Sequence, residues 1–216
     1  MRIPFTIDEF LDLFRRYNDA VWPAQWVLVL LAAATVVAAL RMRRPTRIPL
    51  LMLSVLWLWM GIVYHFVFFR SINPAAALFG ALFVMQAGLL VWLASRKPVR
   101  HFTLRRDSAG VLGVSMIVFA LIIYPLLGWL LGHRYPYAPT FGLPCPTTVF
   151  TFGLLLLARP ALPRSAFIIP VLWSVVATSA ALQLGMMEDL SLPVAAIIAS
   201  AVVLQLHRPV AWLRRA

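Results

Sequence analysis

Seven apolar runs dominate this sequence and leave it few ways to fold. They extend approximately from Trp22 to Leu40, Leu50 to Phe69, Ala75 to Ala94, Ala109 to Leu131, Pro146 to Ala158, Ala166 to Leu184 and Leu190 to Leu206. A helix rises about 1.5 Å per residue and the hydrocarbon core of a bilayer is about 30 Å thick, so about 20 apolar residues suffice to cross it. Inside lipid each backbone N–H and C=O must find a partner within the protein, which makes such segments helices. Composition agrees, with 62% hydrophobic and 12% charged residues in 216, against about 25% charged in soluble domains. The expected fold is all-α and polytopic, with about seven transmembrane helices.

The net charge of +12 would suggest nucleic acid in a soluble protein, but its placement along the chain points elsewhere. Alternate connections hold Arg41, Arg43, Arg44 and Arg47, then Arg96, Lys97, Arg100, Arg105 and Arg106, then Arg159 and Arg164, then Arg208, Arg214 and Arg215. The other parity holds Arg2, Arg15, Arg16, Arg70 and Arg134, with the acids Asp8, Glu9, Asp12, Asp19, Glu188 and Asp189. Lys and Arg are retained on the cytoplasmic side during insertion, so the N-terminus is expected outside and the C-terminus inside a bacterial inner membrane. The lipid bilayer is then the principal partner, with anionic headgroups drawn to the cytoplasmic loops. No nucleic-acid partner is expected, because the basic residues are not gathered on one module.

Residues 1–21 lack the basic start and apolar run of a signal peptide. Thr6-Ile7-Asp8-Glu9 reads as a capping box, after which Phe10, Leu13, Phe14 and Tyr17 fall on one helical face. The chain therefore divides into an outer interfacial amphipathic helix (1–21), a transmembrane bundle (22–206) and a basic cytoplasmic tail (207–216). The first helix is expected to anchor at the interface, with a lid over an external pocket as the functional version.

The segment from Gly132 to Thr148 carries four prolines and two glycines and so cannot be regular helix over most of its length. A fifth helix starting at Pro146 would be only about 20 Å long. The stretch Phe141 to Cys145 is therefore expected to dip into the membrane, where unpaired backbone survives only against protein or a wet cavity. The free N–H groups of that helix, with Thr147, Thr148 and Thr151, would receive an anionic or dipolar group; alternatively these threonines bond back to their own helix. Tyr64, His65, Asn73, Tyr124, His133, Arg134 and Cys145 lie at the same outer level and complete the candidate binding set. Glu188 and Asp189 fall in the outer turn before the last span. Trp57 and Trp59 read as packing, and Gly128 to Gly132 and Ala76 to Gly80 as close helix contacts.

No charged residue falls inside any of these runs, which argues against a proton pump built on buried carboxylates, a voltage sensor or a retinal protein. One cysteine, Cys145, excludes an intramolecular disulfide. His65, His133 and Cys145 suit zinc or copper by ligand type, though their spacing forms no motif, and a Cys145 nucleophile at a helix start is a further enzymatic alternative. No catalytic residue and no cofactor is assigned.

Several strings also carry a resemblance: Val21-Trp-Pro-Ala-Gln25, Trp57-Leu-Trp-Met-Gly61 with Tyr64-His65, Ile72-Asn-Pro-Ala75, Gly132-His-Arg-Tyr135 and Phe141-Gly-Leu-Pro-Cys-Pro-Thr-Thr148. Together they resemble a group of bacterial multi-pass membrane proteins known as domain of unknown function 6064, over nearly the whole chain. The resemblance implies the multi-pass topology and adds no mechanism. The function expected from the residues is binding or transport of a small solute through an outward-facing pocket near the broken start of helix five. The alternatives are a membrane-embedded metal or redox enzyme, or a non-catalytic assembly or sensor subunit, with an oligomer compatible with each.

Overall fold

The structure, a computed structural model, describes residues 3–42, 46–104 and 106–207. Arg2, Arg43, Arg44, Arg105, Arg208, Arg214 and Arg215, and with them the expected tail from 208 onward, lie outside the described residues. Among those described, six helices are long and apolar enough to cross a membrane: α2 (Ala24–Arg41), α3 (Ile48–Ser71), α4 (Ala76–Ser95), α5 (Ser108–Leu130), α7 (Ser165–Leu184) and α8 (Met187–Leu206). A seventh apolar helix, α6 (Pro144–Leu156), is shorter, and α1 (Ile7–Ala20) precedes them all. The chain is thus an all-α, polytopic membrane protein.

α1 forms because its start and its face are both encoded. Glu9 N–H donates to Thr6 Oγ1, and the Glu9 carboxylate accepts from the Thr6 N–H at 2.7 Å, completing the capping box. Phe10, Leu13, Phe14 and Tyr17 are buried, in one cluster with Tyr64, Phe69, Leu143, Ala181 and Met186. The helix therefore lies across the end of the bundle, with its acidic residues turned outward.

Hydrogen bonds gather the connections at two ends. At the end covered by α1, Asn18 Nδ2 donates to the carbonyls of Pro136 and Ala138, and Tyr124 and His133 bond Asp189 and Glu188. At the other end the strands β1 (His101–Phe102) and β2 (Ala158–Arg159) pair antiparallel, and Thr46 N–H donates to the Arg100 carbonyl. Arg159 also reaches Asp107, which caps the start of α5.

α6 runs from the first end to the second through the middle of the bundle, packed by α5, α7 and α8. Every residue in it except Cys145 is buried. Its closest neighbour is reached through glycine: a Cβ on Gly153 would stand 2.5 Å from the Gly113 carbonyl oxygen, and one on Gly113 2.8 Å from that of Gly153. The expected Ala76 to Gly80 contact is present, with Gly80 against Gly61 of α3. The expected Gly128 to Gly132 contact is not, because Gly128 faces the Glu188 carboxylate and Gly132 takes a left-handed conformation (φ +95°) with nothing near it. Helix α6 also begins at Pro144 rather than Pro146, since proline is acceptable in the first turn, where an N–H has no helical partner.

Two spans widen locally into π-helix, Met60–Phe68 in α3 and Phe119–Ile123 in α5. Such widenings recur at functional sites because they turn side chains off the regular helical positions. The first carries Tyr64 and His65, and the second ends immediately before Tyr124 and Pro125.

Candidate functional site

Beneath α1 lies a cavity of about 360 Å³. Its roof is the apolar face of α1, with Phe10 and Phe14; its walls are Tyr64, Phe69, Phe79 and Trp173 from α3, α4 and α7. The floor is formed by Leu143, Pro144 and Cys145 at the start of α6 and by Asp189 in the first turn of α8. The stretch Phe141 to Pro144 is buried against this assembly rather than exposed to solvent.

Asp189 is the polar centre of the floor and is 4% exposed. Its Oδ1 accepts the Tyr124 hydroxyl at 2.5 Å, and Cys145 is its neighbour on the floor. The adjacent Glu188, fully buried, meets His133 Nδ1 at 2.6 Å while its Oε2 has no partner. The Trp173 indole N–H, also bordering the cavity, is buried without a partner. The result is an acidic layer below an aromatic chamber.

The helix start that borders the floor offers few donors. The Leu143 N–H already donates to Thr140, Pro144 and Pro146 have no N–H, and the Thr147 N–H donates to Leu143. Cys145 is left to supply the one remaining N–H of the first turn. Nor do the three threonines face the cavity. Thr147 Oγ1 accepts from the Gly142 N–H, and Thr151 Oγ1 donates to the Thr147 carbonyl and accepts from Trp57 Nε1 at 2.9 Å; Thr148 Oγ1 is buried without a partner. The back-bonded alternative describes Thr151, and the expected anion-receiving array is not assembled, because proline removed the donors and packing took the hydroxyls.

The other expected site residues divide. Tyr64, Asn73 and Cys145 line the cavity, although the Asn73 side chain also accepts from the Ala75 N–H in the turn before α4. Tyr124 and His133 sit behind the floor and line a smaller hollow with Pro139. Arg134 stacks on the Trp129 ring at 5.3 Å, away from the chamber. His65 is fully buried with both ring nitrogens unpartnered, enclosed by Tyr64, Phe69, Phe79, Phe83 and Trp173. It stands behind the cavity wall. His65, His133 and Cys145 do not converge, and among the described residues no three His, Cys, Asp or Glu side chains form a metal-ligand set.

Residues 7–212 match a family described as a family of unknown function, DUF6064. The chain belongs to that family. No curated protein and no solved structure matches it. In this DUF6064 chain the residues that sequence reasoning left out of the site are Asp189, Glu188 and Trp173. The acids could have been found from their position: two adjacent carboxylates at the very start of an apolar helix must either face water or be enclosed, and enclosure marks a site. Nothing in the sequence distinguishes Trp173 from the other tryptophans.

Proposed function

We propose that the protein crosses the bacterial inner membrane seven times, with its N-terminus outside, and receives a small, largely apolar solute in the cavity roofed by α1. The observation that carries this reading is the partly open chamber itself, about 360 Å³, within the usual range of about 300–1,000 Å³ for small-molecule sites and built like them from apolar walls with few polar groups. The course of α6 supports the seventh crossing: Leu143 clusters with α1 at one end, and the Leu157 carbonyl accepts from Thr103 beside the β1–β2 pair at the other. The end bearing that pair is also the one with Arg47, Arg96, Lys97, Arg100 and Arg159, which supports placing it in the cytoplasm. Opening of α1 would admit the solute from outside, and movement of α6 would be needed to pass it on.

A substitution that fills the chamber tests this. Ala177 lines it and is 5% exposed, so Ala177→Phe projects a ring into the space. In purified protein a panel of small amphiphiles of varied charge is expected to include solutes that raise Tm saturably, with the effect lost in A177F. A panel that shifts neither protein, or shifts both alike, would overturn the reading. For orientation, a reporter fused after Ala216 is expected to behave as cytoplasmic, and export of the reporter would reverse the topology.

A further inference from the structure

The charge of the chamber specifies what it can hold, given the reading of it as a solute site. Among the described residues Asp189 is the one ionisable carboxylate lining it, and no described Lys, Arg or His lines it, although the chain carries 19 Lys+Arg. The group that hydrogen-bonds the Asp189 side chain, the Tyr124 hydroxyl, is a neutral donor. Of the nearby imidazoles, His133 is engaged by Glu188, and His65 stands behind the wall against Trp173. A carboxylate withdrawn from water requires a counter-charge or a proton, and among the described residues no side chain lining the chamber supplies the counter-charge.

The walls supply the complementary feature. Phe10, Phe14, Tyr64, Phe69, Phe79 and Trp173 surround the space above Asp189, and the negative faces of aromatic rings attract ammonium groups most strongly where water is excluded. Trp173, 8% exposed, is a second and independent pointer. Its N–H is buried without a partner beside the floor, and a buried donor is expected to meet an acceptor.

We propose that the cavity is an organic-cation site: a protonated amine sets its ammonium against Asp189, its apolar body among the rings, and an acceptor atom on Trp173 Nε1. An anionic solute is disfavoured by Asp189 and Glu188 together, and by the proline-depleted helix start.

Three probes of nearly equal shape separate charge from fit: 2-phenoxyethylamine, 2-phenoxyethanol and phenoxyacetate, each with an ether oxygen as acceptor. The amine is expected to raise Tm saturably and to bind at least tenfold more tightly than the alcohol, with the acid inert. Asp189→Asn is expected to weaken the amine tenfold or more and leave the alcohol unchanged, and Trp173→Phe to weaken both. The charge series in the unaltered protein needs no variant to fold. Equal or tighter binding of the alcohol or acid, or undiminished amine binding by D189N, would overturn the cation assignment. If the amine is inert while the wider panel still yields an A177F-sensitive solute, the cation assignment falls and the solute site stands; if that panel is silent too, both fall.

Discussion

Trp59 in α3 donates its indole N–H to the Tyr17 hydroxyl at 2.8 Å, so the helix that roofs the cavity is tied to a span by a part-buried polar contact as well as by its apolar face. Tyr17 is fully buried, and its ring meets Tyr64 and Phe68 edge-on. The contact gives the roof a chemical handle that can be loosened without touching the chamber.

Alkali is one such handle. Burial pushes the Tyr17 hydroxyl up to about 12 from 10.0, against the smaller opposing effect of the Trp59 hydrogen bond. A group whose folded value is raised contributes stability that is complete below pH 10 and lost as pH rises through about 12. At about 1.36 kcal/mol per unit this amounts to about 2 to 3 kcal/mol. The difference in stability between wild type and Tyr17→Phe, followed from pH 9 to 12.5, is expected to fall steadily in that window. At neutral pH Y17F is expected to be less stable by about 1 kcal/mol, because the Trp59 N–H loses its acceptor. A difference independent of pH would contradict the buried placement of the hydroxyl.

The capping box gives a local counterpart. Thr6→Ala removes the side-chain acceptor of the Glu9 N–H, a change expected to cost about 1 kcal/mol. Because α1 lies at one end of the bundle, the loss is expected as faster amide exchange and proteolysis within residues 7–20, with little change in global Tm. Uniform destabilisation would mean that α1 unfolds only with the spans.

Glycine substitutions distinguish tight from open crossings. Gly153→Ala places a methyl group against the Gly113 carbonyl and Ile117, and both neighbours are buried helix rather than a flexible tip. Overpacking of this kind costs about 1 to 3 kcal/mol. Gly88→Ala, with nothing within 4 Å of the added carbon, is expected to be neutral or slightly stabilising through reduced backbone freedom. Thermal unfolding of the two variants in detergent checks the contrast.

These contacts mark where the sequence was readable. The spans could be placed because hydropathy over about 20 residues is a property of each segment alone; Ala166 to Leu184 was expected and Ser165–Leu184 is found. The capping box was readable for the same reason, as all of its atoms lie within four residues. The Gly113–Gly153 crossing was not, since it depends on how two distant helices are rotated. Thr151 could equally have faced a cavity or its own helix, and the position of Trp57, 94 residues away, decided it. Asp189 escaped the expected site because its enclosure depends on α1 and on Tyr124, neither of which is near it in the chain.

The Trp57–Thr151 pair offers the sharpest check of α6 as a packed central helix. Trp57 is fully buried and its Nε1 reaches Thr151 Oγ1 at 2.9 Å. Thr151→Val preserves shape but leaves the indole N–H without an acceptor, which costs about 1 to 3 kcal/mol. Thr151→Ser keeps the oxygen and is expected to cost less than T151V, with the residual reflecting the lost methyl group. Trp57→Phe removes the donor but opens space, so the informative quantity is the coupling in the double-mutant cycle. Once Trp57 is Phe, T151V no longer strands a donor and is expected to cost at least 0.5 kcal/mol less (about the lower bound for coupled neighbours). Independent, additive effects would show that the two side chains do not meet, and with that the register of α6 against α3 would have to be redrawn.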